Sequence, residues 1–188
     1  GTDFLGFDNG LRSLNGGINA TLRPMNNGYD LLNNGLNNDW SIKNRKPIAD
    51  LSLSMNIAHR WVSESGRTLA MLGAVNYSNT YKTYLNMDNN LYGAYDITHD
   101  RSNYLRKGVD DQYNHNVRVG AMLNLTYVPA SGNNRYEFKN IFNQLGKDRY
   151  TYRKGTDAQS DYEESAEYYY QSRTTYSGQF TGKHTWSD

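Results

Sequence analysis

The sequence predicts an all-β fold: an antiparallel up-and-down meander of about five long strands, part of a transmembrane β-barrel. Three observations carry this expectation. Apolar and polar residues alternate with period 2 over long segments, the pattern of a strand with two unlike faces. Short turns alternate along the chain with long polar stretches. Aromatic residues collect near the segment ends.

Composition removes the competing classes. The chain has 188 residues, 20 Lys+Arg against 19 Asp+Glu, a formal net charge of +1 and no cysteine. Hydrophobic residues make up 37% and the mean hydropathy is −0.87. Such polarity approaches that of disordered chains, but disorder also needs high net charge and few aromatics. Here the charge is balanced and there are 17 tyrosines. No apolar run is long enough for a transmembrane helix. Without cysteine there is no disulfide framework and no thiolate metal site. The balanced charge argues against a nucleic-acid partner, which would require a basic patch.

The elements follow in order, within one partial barrel domain spanning 1–188. Residues 1–50 read as a long extracellular-type loop punctuated by turn formers such as Asn15-Gly16-Gly17, Asn26-Asn27-Gly28 and Asn33-Asn34-Gly35. At Leu51 alternation begins: Leu51, Leu53, Met55, Ile57, His59 and Trp61 on one face, Ser52, Ser54, Asn56 and Arg60 on the other. A short turn at 63–66 leads to a hairpin partner carrying Leu69, Met71, Val75 and Tyr77. A long polar loop is expected at 85–112. Alternation returns with Val117, Val119, Leu123, Leu125 and Tyr127 against Asn116, Arg118, Asn124 and Thr126. After a second short turn at 129–134, Tyr136, Phe138 and Phe142 alternate with polar residues, and Gly146 is expected to disturb the register. A third long loop is expected at 154–165. The last segment has a polar face with Arg173, Gln179 and Lys183.

Alternating connection lengths place the short turns at one end and the long loops at the other, the asymmetry of outer-membrane barrels. In that reading Ser52, Ser54, Asn56, Arg60, Asn116, Arg118, Asn124, Arg173, Gln179 and Lys183 face a polar lumen, and the opposite rows face lipid. Trp61, Tyr127, Tyr136 and Trp186 fall near the short-turn end, and Tyr77, Tyr81, Tyr84, Tyr113, Tyr150 and Tyr152 toward the long loops, as in interfacial girdles. A soluble antiparallel sheet with one solvated face explains the alternation equally well, and strand length and connection asymmetry less well.

Several stretches resemble TonB-dependent outer-membrane receptors of the Bacteroidetes type. They are Phe4-Leu5-Gly6-Phe7-Asp8-Asn9-Gly10-Leu11-Arg12-Ser13-Leu14, Asn37-Asn38-Asp39-Trp40-Ser41-Ile42-Lys43-Asn44-Arg45, and Ala74-Val75-Asn76-Tyr77-Ser78-Asn79. Tyr136 to Gly146 and Glu167-Tyr168-Tyr169-Tyr170-Gln171-Ser172-Arg173 are similar to later strands of the same barrels. The resemblance implies part of a plugged barrel of about 22 strands, entered in the first extracellular loop and left after about the sixth strand. It implies uptake of a nutrient ligand (siderophore, glycan or peptide) across the outer membrane of a Gram-negative bacterium. Energy would come from TonB through parts of the receptor outside this sequence, with outer-membrane lipid as surroundings and a surface lipoprotein as a further partner. The alternative function is a secreted or surface-anchored soluble β-domain that binds glycans.

Candidate chemistry is sparse. His59, His99, His115 and His184 have no metal-ligand spacing, and no nucleophile, P-loop or dinucleotide motif occurs, so neither enzyme activity nor a cofactor or metal is expected. The carboxylate pairs Asp110-Asp111 and Glu163-Glu164 are candidate acid–base groups, and Asp88-Asn89-Asn90 is a candidate calcium string. The loop aromatics Trp40, Tyr84, Tyr92, Tyr95, Tyr104 and Tyr162, set among Asn and Asp, are the candidate ligand-binding residues; ordinary loop and girdle composition is the alternative. Open strand edges and a bare apolar face predict self-association between copies in water.

Overall fold

The computed structural model describes residues 2–8, 41–42 and 46–186. Trp40 and most of the predicted first loop lie outside the described residues. The described chain is all-β apart from a 3-10 turn at Thr2–Leu5. Six strands form one antiparallel sheet: β1 (Leu51–Val62), β2 (Thr68–Asp88), β3 (Leu91–Asp96), β4 (Arg101–Val128), β5 (Asn134–Asp157) and β6 (Tyr162–His184). The order is β1-β2-β4-β5-β6, with short β3 paired only to β4. Among the described residues β1 and β6 are each paired on one side, so the sheet is open.

Two tight turns of the same construction join strands at one end. Gly66 donates to the Ser63 carbonyl at 2.9 Å, and Gly132 donates to that of Pro129 at 3.0 Å. Both glycines have positive φ, 79° and 72°, which a side chain would resist.

The expected loops at 85–112 and 154–165 are largely strand. β2 runs on to Asp88, β4 starts at Arg101, and β5 and β6 continue to Asp157 and from Tyr162. Polarity misled the sequence reading here, because strands with both faces in water need no apolar alternation. What holds them is pairing, unbroken from Arg106↔Asp157 to Tyr127↔Tyr136 between β4 and β5. The connections left at this end are short and built on aspartate side chains. Asp96 Oδ1 accepts from the Thr98 amide at 3.1 Å, and Asp157 Oδ1 accepts from the Gln159 and Asp161 amides at 2.9 and 2.8 Å.

Gly146 does not disturb the register: β5 pairs continuously through it on both sides. The irregularity falls in β2 instead, between Tyr84 and Met87, where Asn86 takes φ 56° and the Asp111 carboxylate accepts from the Asn86 amide at 2.9 Å.

The sheet is a single layer. Val117, 2% exposed, is the buried hydrophobic residue among those described, whereas Leu53, Met55, Ile57, Val75 and Phe180 are all more than half exposed or nearly so. Residues 2–8 are the described segment that packs against a face, at β4 and β5.

Candidate functional site

Directly paired residues of an antiparallel sheet share a face, so the register sorts the side chains into two surfaces. Leu53↔Tyr77, Met55↔Val75 and Ile57↔Gly73 continue through Val119, Ala121 and Leu123. Phe142, Phe138, Tyr176 and Phe180 complete this apolar face on β5 and β6. All ten residues expected to face a lumen, from Ser52 to Lys183, lie together on the opposite, polar face.

The apolar face has a measurable height. One boundary row holds Trp61, Leu69, Tyr127 and Tyr136, and the other limit is Leu51, Asn79 and Val117. Ten residue steps at about 3.4 Å make this face about 34 Å long measured along the strands. Beyond the second limit stand aromatic rows. Tyr81 stacks on His115 at 4.3 Å, and Tyr150 lies 6.2 Å from Tyr113 and 5.1 Å from Tyr168. Tyr84, expected among these girdle residues, pairs with Gln112 and belongs to the polar face. Within the band, Gly73 leaves a shallow apolar hollow of about 360 Å³ lined by Met55, Ile57, Leu123, Phe142 and Tyr176.

Near the upper limit of the band this face turns polar, with Gln144, Thr174 and Ser172. Residues 2–8 cover that spot. Gln144 Nε2 donates to the Gly6 carbonyl at 2.6 Å and Ser172 Oγ to the same oxygen at 3.0 Å. Thr174 donates to the Gln144 amide oxygen, Tyr77 Oη donates to the Phe4 carbonyl at 2.9 Å, and Phe7 stacks on Phe142 at 6.5 Å. Sequence reading missed this docking site; its one signal was a glycine inside a strand, a mark of close backbone approach.

The candidate ligand aromatics divide. Tyr104 and Tyr162 line one open groove of about 570 Å³ at the far end of the sheet, with Asp88, Asn90, Lys107 and Lys154. Tyr92 packs against Tyr104 at 4.9 Å, and Lys107 Nζ lies 4.2 Å from the Tyr104 ring centre. Tyr162 Oη donates to Glu164 at 2.5 Å, which pushes the Tyr162 pKa up to about 12 because the bonded carboxylate favours the neutral phenol. Tyr95 is tied to Asp100 in the β3–β4 hairpin, and Tyr84 lies on the other face, so neither joins the groove.

The candidate acidic pairs do not act together. Neighbours along a strand point to opposite faces. Asp110, on the polar face, is gripped by Arg153 Nε and Nη2 at 2.6 and 2.7 Å, while Asp111 pairs across from Tyr152 on the other. Glu163 and Glu164 are split in the same way. Asn89 and Asn90 serve as structural partners rather than a calcium loop: Asn89 donates to Asp110 at 2.8 Å, and Asn90 Oδ1 accepts from the Gly108 amide at 3.2 Å. The Arg153 guanidinium holds the Asp110 carboxyl below its ordinary pKa. Among the described residues no group of His, Asp and Glu is placed to hold a metal ion.

The register also separates charge. On the paired rows of the apolar face, Lys107 and Lys154 are outnumbered by Asp88, Asp111, Asp148 and Glu164. On the polar face Lys and Arg outnumber the carboxylates. The near-zero net charge therefore conceals a face richer in Lys and Arg than in carboxylates. No protein-family model, no curated protein and no solved structure matches this chain.

Proposed function

We propose that the sheet is a stretch of the wall of an outer-membrane β-barrel, in a TonB-dependent receptor that takes up a nutrient ligand. The observation that carries this reading is the apolar face. On β1, β2 and β4 it runs for ten residue steps, about 26 Å at a barrel tilt of about 40°, and it continues on β5 and β6 below Gln144 and Thr174. Aromatic rows bound it, and among the described residues only the short segment 2–8 packs on it, near its upper limit. In water such a face is a liability; against lipid it is the matching surface. The open edges at β1 and β6 fit a wall continued by further strands. The polar face then lines the lumen, and the strand extensions with Tyr104 and Tyr162 stand above the outer leaflet. TonB, a plug and a surface lipoprotein belong to the same reading through the sequence resemblance.

The soluble glycan-binding alternative needs a second layer over Leu53, Ile57 and Leu123, which the described residues do not supply. Fractionation of cells expressing the intact protein tests the proposal. It is expected in the outer-membrane fraction, resistant to carbonate, with a gel mobility that shifts on heating. Release by carbonate as a soluble monomer would overturn it.

A further inference from the structure

We infer that the polar face carries a binding site for a small multivalent anion, built by Arg118, Lys147 and Arg173. Arg118 and Arg173 lie in one row, each directly opposite Leu145 on β5. At the usual inter-strand spacing their strands are about 10 Å apart, with Leu145 as an apolar floor between them. Lys147 stands in the next row, diagonal to both arginines. None of the three has a carboxylate partner among the described residues, and both arginines are exposed.

The surroundings explain why these charges stay unneutralised. The neighbouring positions on that face are Asn116, Asn143, Gln171 and Thr175, all uncharged, and Arg149, which is itself paired to a carboxylate. The nearest carboxylates further along are already engaged: Glu167 with Arg149 at 2.9 Å, and Asp110 with Arg153 at 2.6 Å. Toward the short turns, Glu137 is held by Arg135 and Lys139 at 2.5 and 2.7 Å. Arg135, Lys139, Arg149 and Arg153 on either side thus have carboxylate partners, whereas these three in the middle have none; Lys147 has the Tyr169 ring centre at 5.9 Å.

That constellation names a ligand chemistry. Two guanidinium forks match carboxylate or phosphate oxygens in bidentate fashion, and the lysine adds a point charge. Amides of Asn116, Asn143 and Gln171 supply further donors. The span between the forks suits a small molecule with at least two acidic groups. The assignment of the ligand as transported cargo rests on the uptake reading above; binding itself does not.

Calorimetric titration of the intact protein in detergent with citrate and with inorganic pyrophosphate tests the site. At least one is expected to bind, with affinity falling as salt rises. R118Q/R173Q is expected to weaken binding by about tenfold or more, and R118K/R173K, which keeps charge but loses the forks, by less. K139Q, on the same face but paired to Glu137, is expected to leave binding unchanged. Absence of binding by both citrate and pyrophosphate, equal binding by R118Q/R173Q, or binding of polygalacturonate alone would overturn the site. If R118Q/R173Q fails to show the heat-dependent gel shift, the folded lysine variant decides, since unchanged affinity there also overturns it. Binding that persists in a protein shown not to reside in the membrane would keep the site and remove the transport route.

Discussion

The side-chain amide of Gln144, 1% exposed, donates at 2.6 Å to the backbone carbonyl of Gly6, 138 residues earlier in the chain. This bond ties residues 2–8 to β5. It also satisfies a polar group at the margin of an apolar face, where an unpaired amide would cost several kcal/mol, on the order of 2–7. The contact requires two glycines. A Cβ on Gly146 would meet the Gly6 Cα at 2.6 Å, and a Cβ on Gly6 would meet the Gly146 amide nitrogen at 2.8 Å.

Gly146→Ala is therefore expected to undock residues 2–8, because both clashing partners are backbone and cannot rotate away. Hydrogen exchange should show faster exchange for Gly6, whose amide bonds to the Asp3 carbonyl at 2.9 Å, with β4 and β5 unchanged outside the contact. The cost in stability is expected at about 1–3 kcal/mol, typical of overpacking. Unchanged exchange at Gly6 would count against the docking account.

Asp110 and Arg153 predict an acid-sensitive upper sheet. The Asp110 pKa is lowered, first by its hydrogen bonds to Arg153. Its stabilising contribution is therefore complete above the ordinary carboxylate value of about 3.9 and is lost as pH falls through the lower native value. Asp110→Asn should remove this pH dependence and cost about 2–3 kcal/mol, less than a fully dry pair because Arg153 is 28% exposed. Denaturant unfolding monitored between pH 2 and 7 reads both effects.

Tyr162 should titrate late. Its pKa, held up to about 12 by the bond to Glu164, is expected to fall toward the usual value of about 10 in Glu164→Gln. Difference absorbance of the tyrosinate, compared between the parent and this variant, gives the shift directly; coincident titrations would show that the bond does not form in solution.

Lysine scanning should distinguish the two faces. Leu123 lies mid-band on the apolar face, and Asn124, its neighbour, lies on the polar one. In a bilayer Leu123→Lys is expected to cost about 2–4 kcal/mol, the range for a cation near the midplane of the lipid-facing surface. Asn124→Lys is expected to cost under about 1 kcal/mol, since the position lies on the polar face. Folding into lipid vesicles, followed by urea titration, measures the difference. Equal costs would mean that the two faces see the same medium.

Much of this architecture was legible in the sequence, and the illegible parts have physical causes. Leu53, Ile57, Val119 and Leu123 announce their face because one side of the strand is apolar and the other is not. Residues 101–112 and 154–165 announce nothing, because strands solvated on both faces are polar throughout and read as loops. Gly146 looked like an irregularity, but its role lies in a partner 140 positions away, and no local pattern encodes that distance. The basic polar face was equally hidden. Arg118 and Arg173 are far apart in the chain, their charges vanish into a net +1, and only the pairing of both with Leu145 brings them together. Of the candidate ligand aromatics, Tyr104 and Tyr162 share a groove; composition alone could not separate them from Tyr84 and Tyr95.

The central claim is that one face of this sheet meets lipid and the other meets water. The described sequence has no cysteine, so single substitutions report single positions. Leu123→Cys and Asn124→Cys place adjacent thiols on opposite faces. In the intact protein reconstituted in vesicles, a small membrane-impermeant maleimide is expected to label Cys at 124 and spare it at 123, with the pattern reversed for a lipid-dissolved probe. Equal aqueous labelling at both positions would contradict the account.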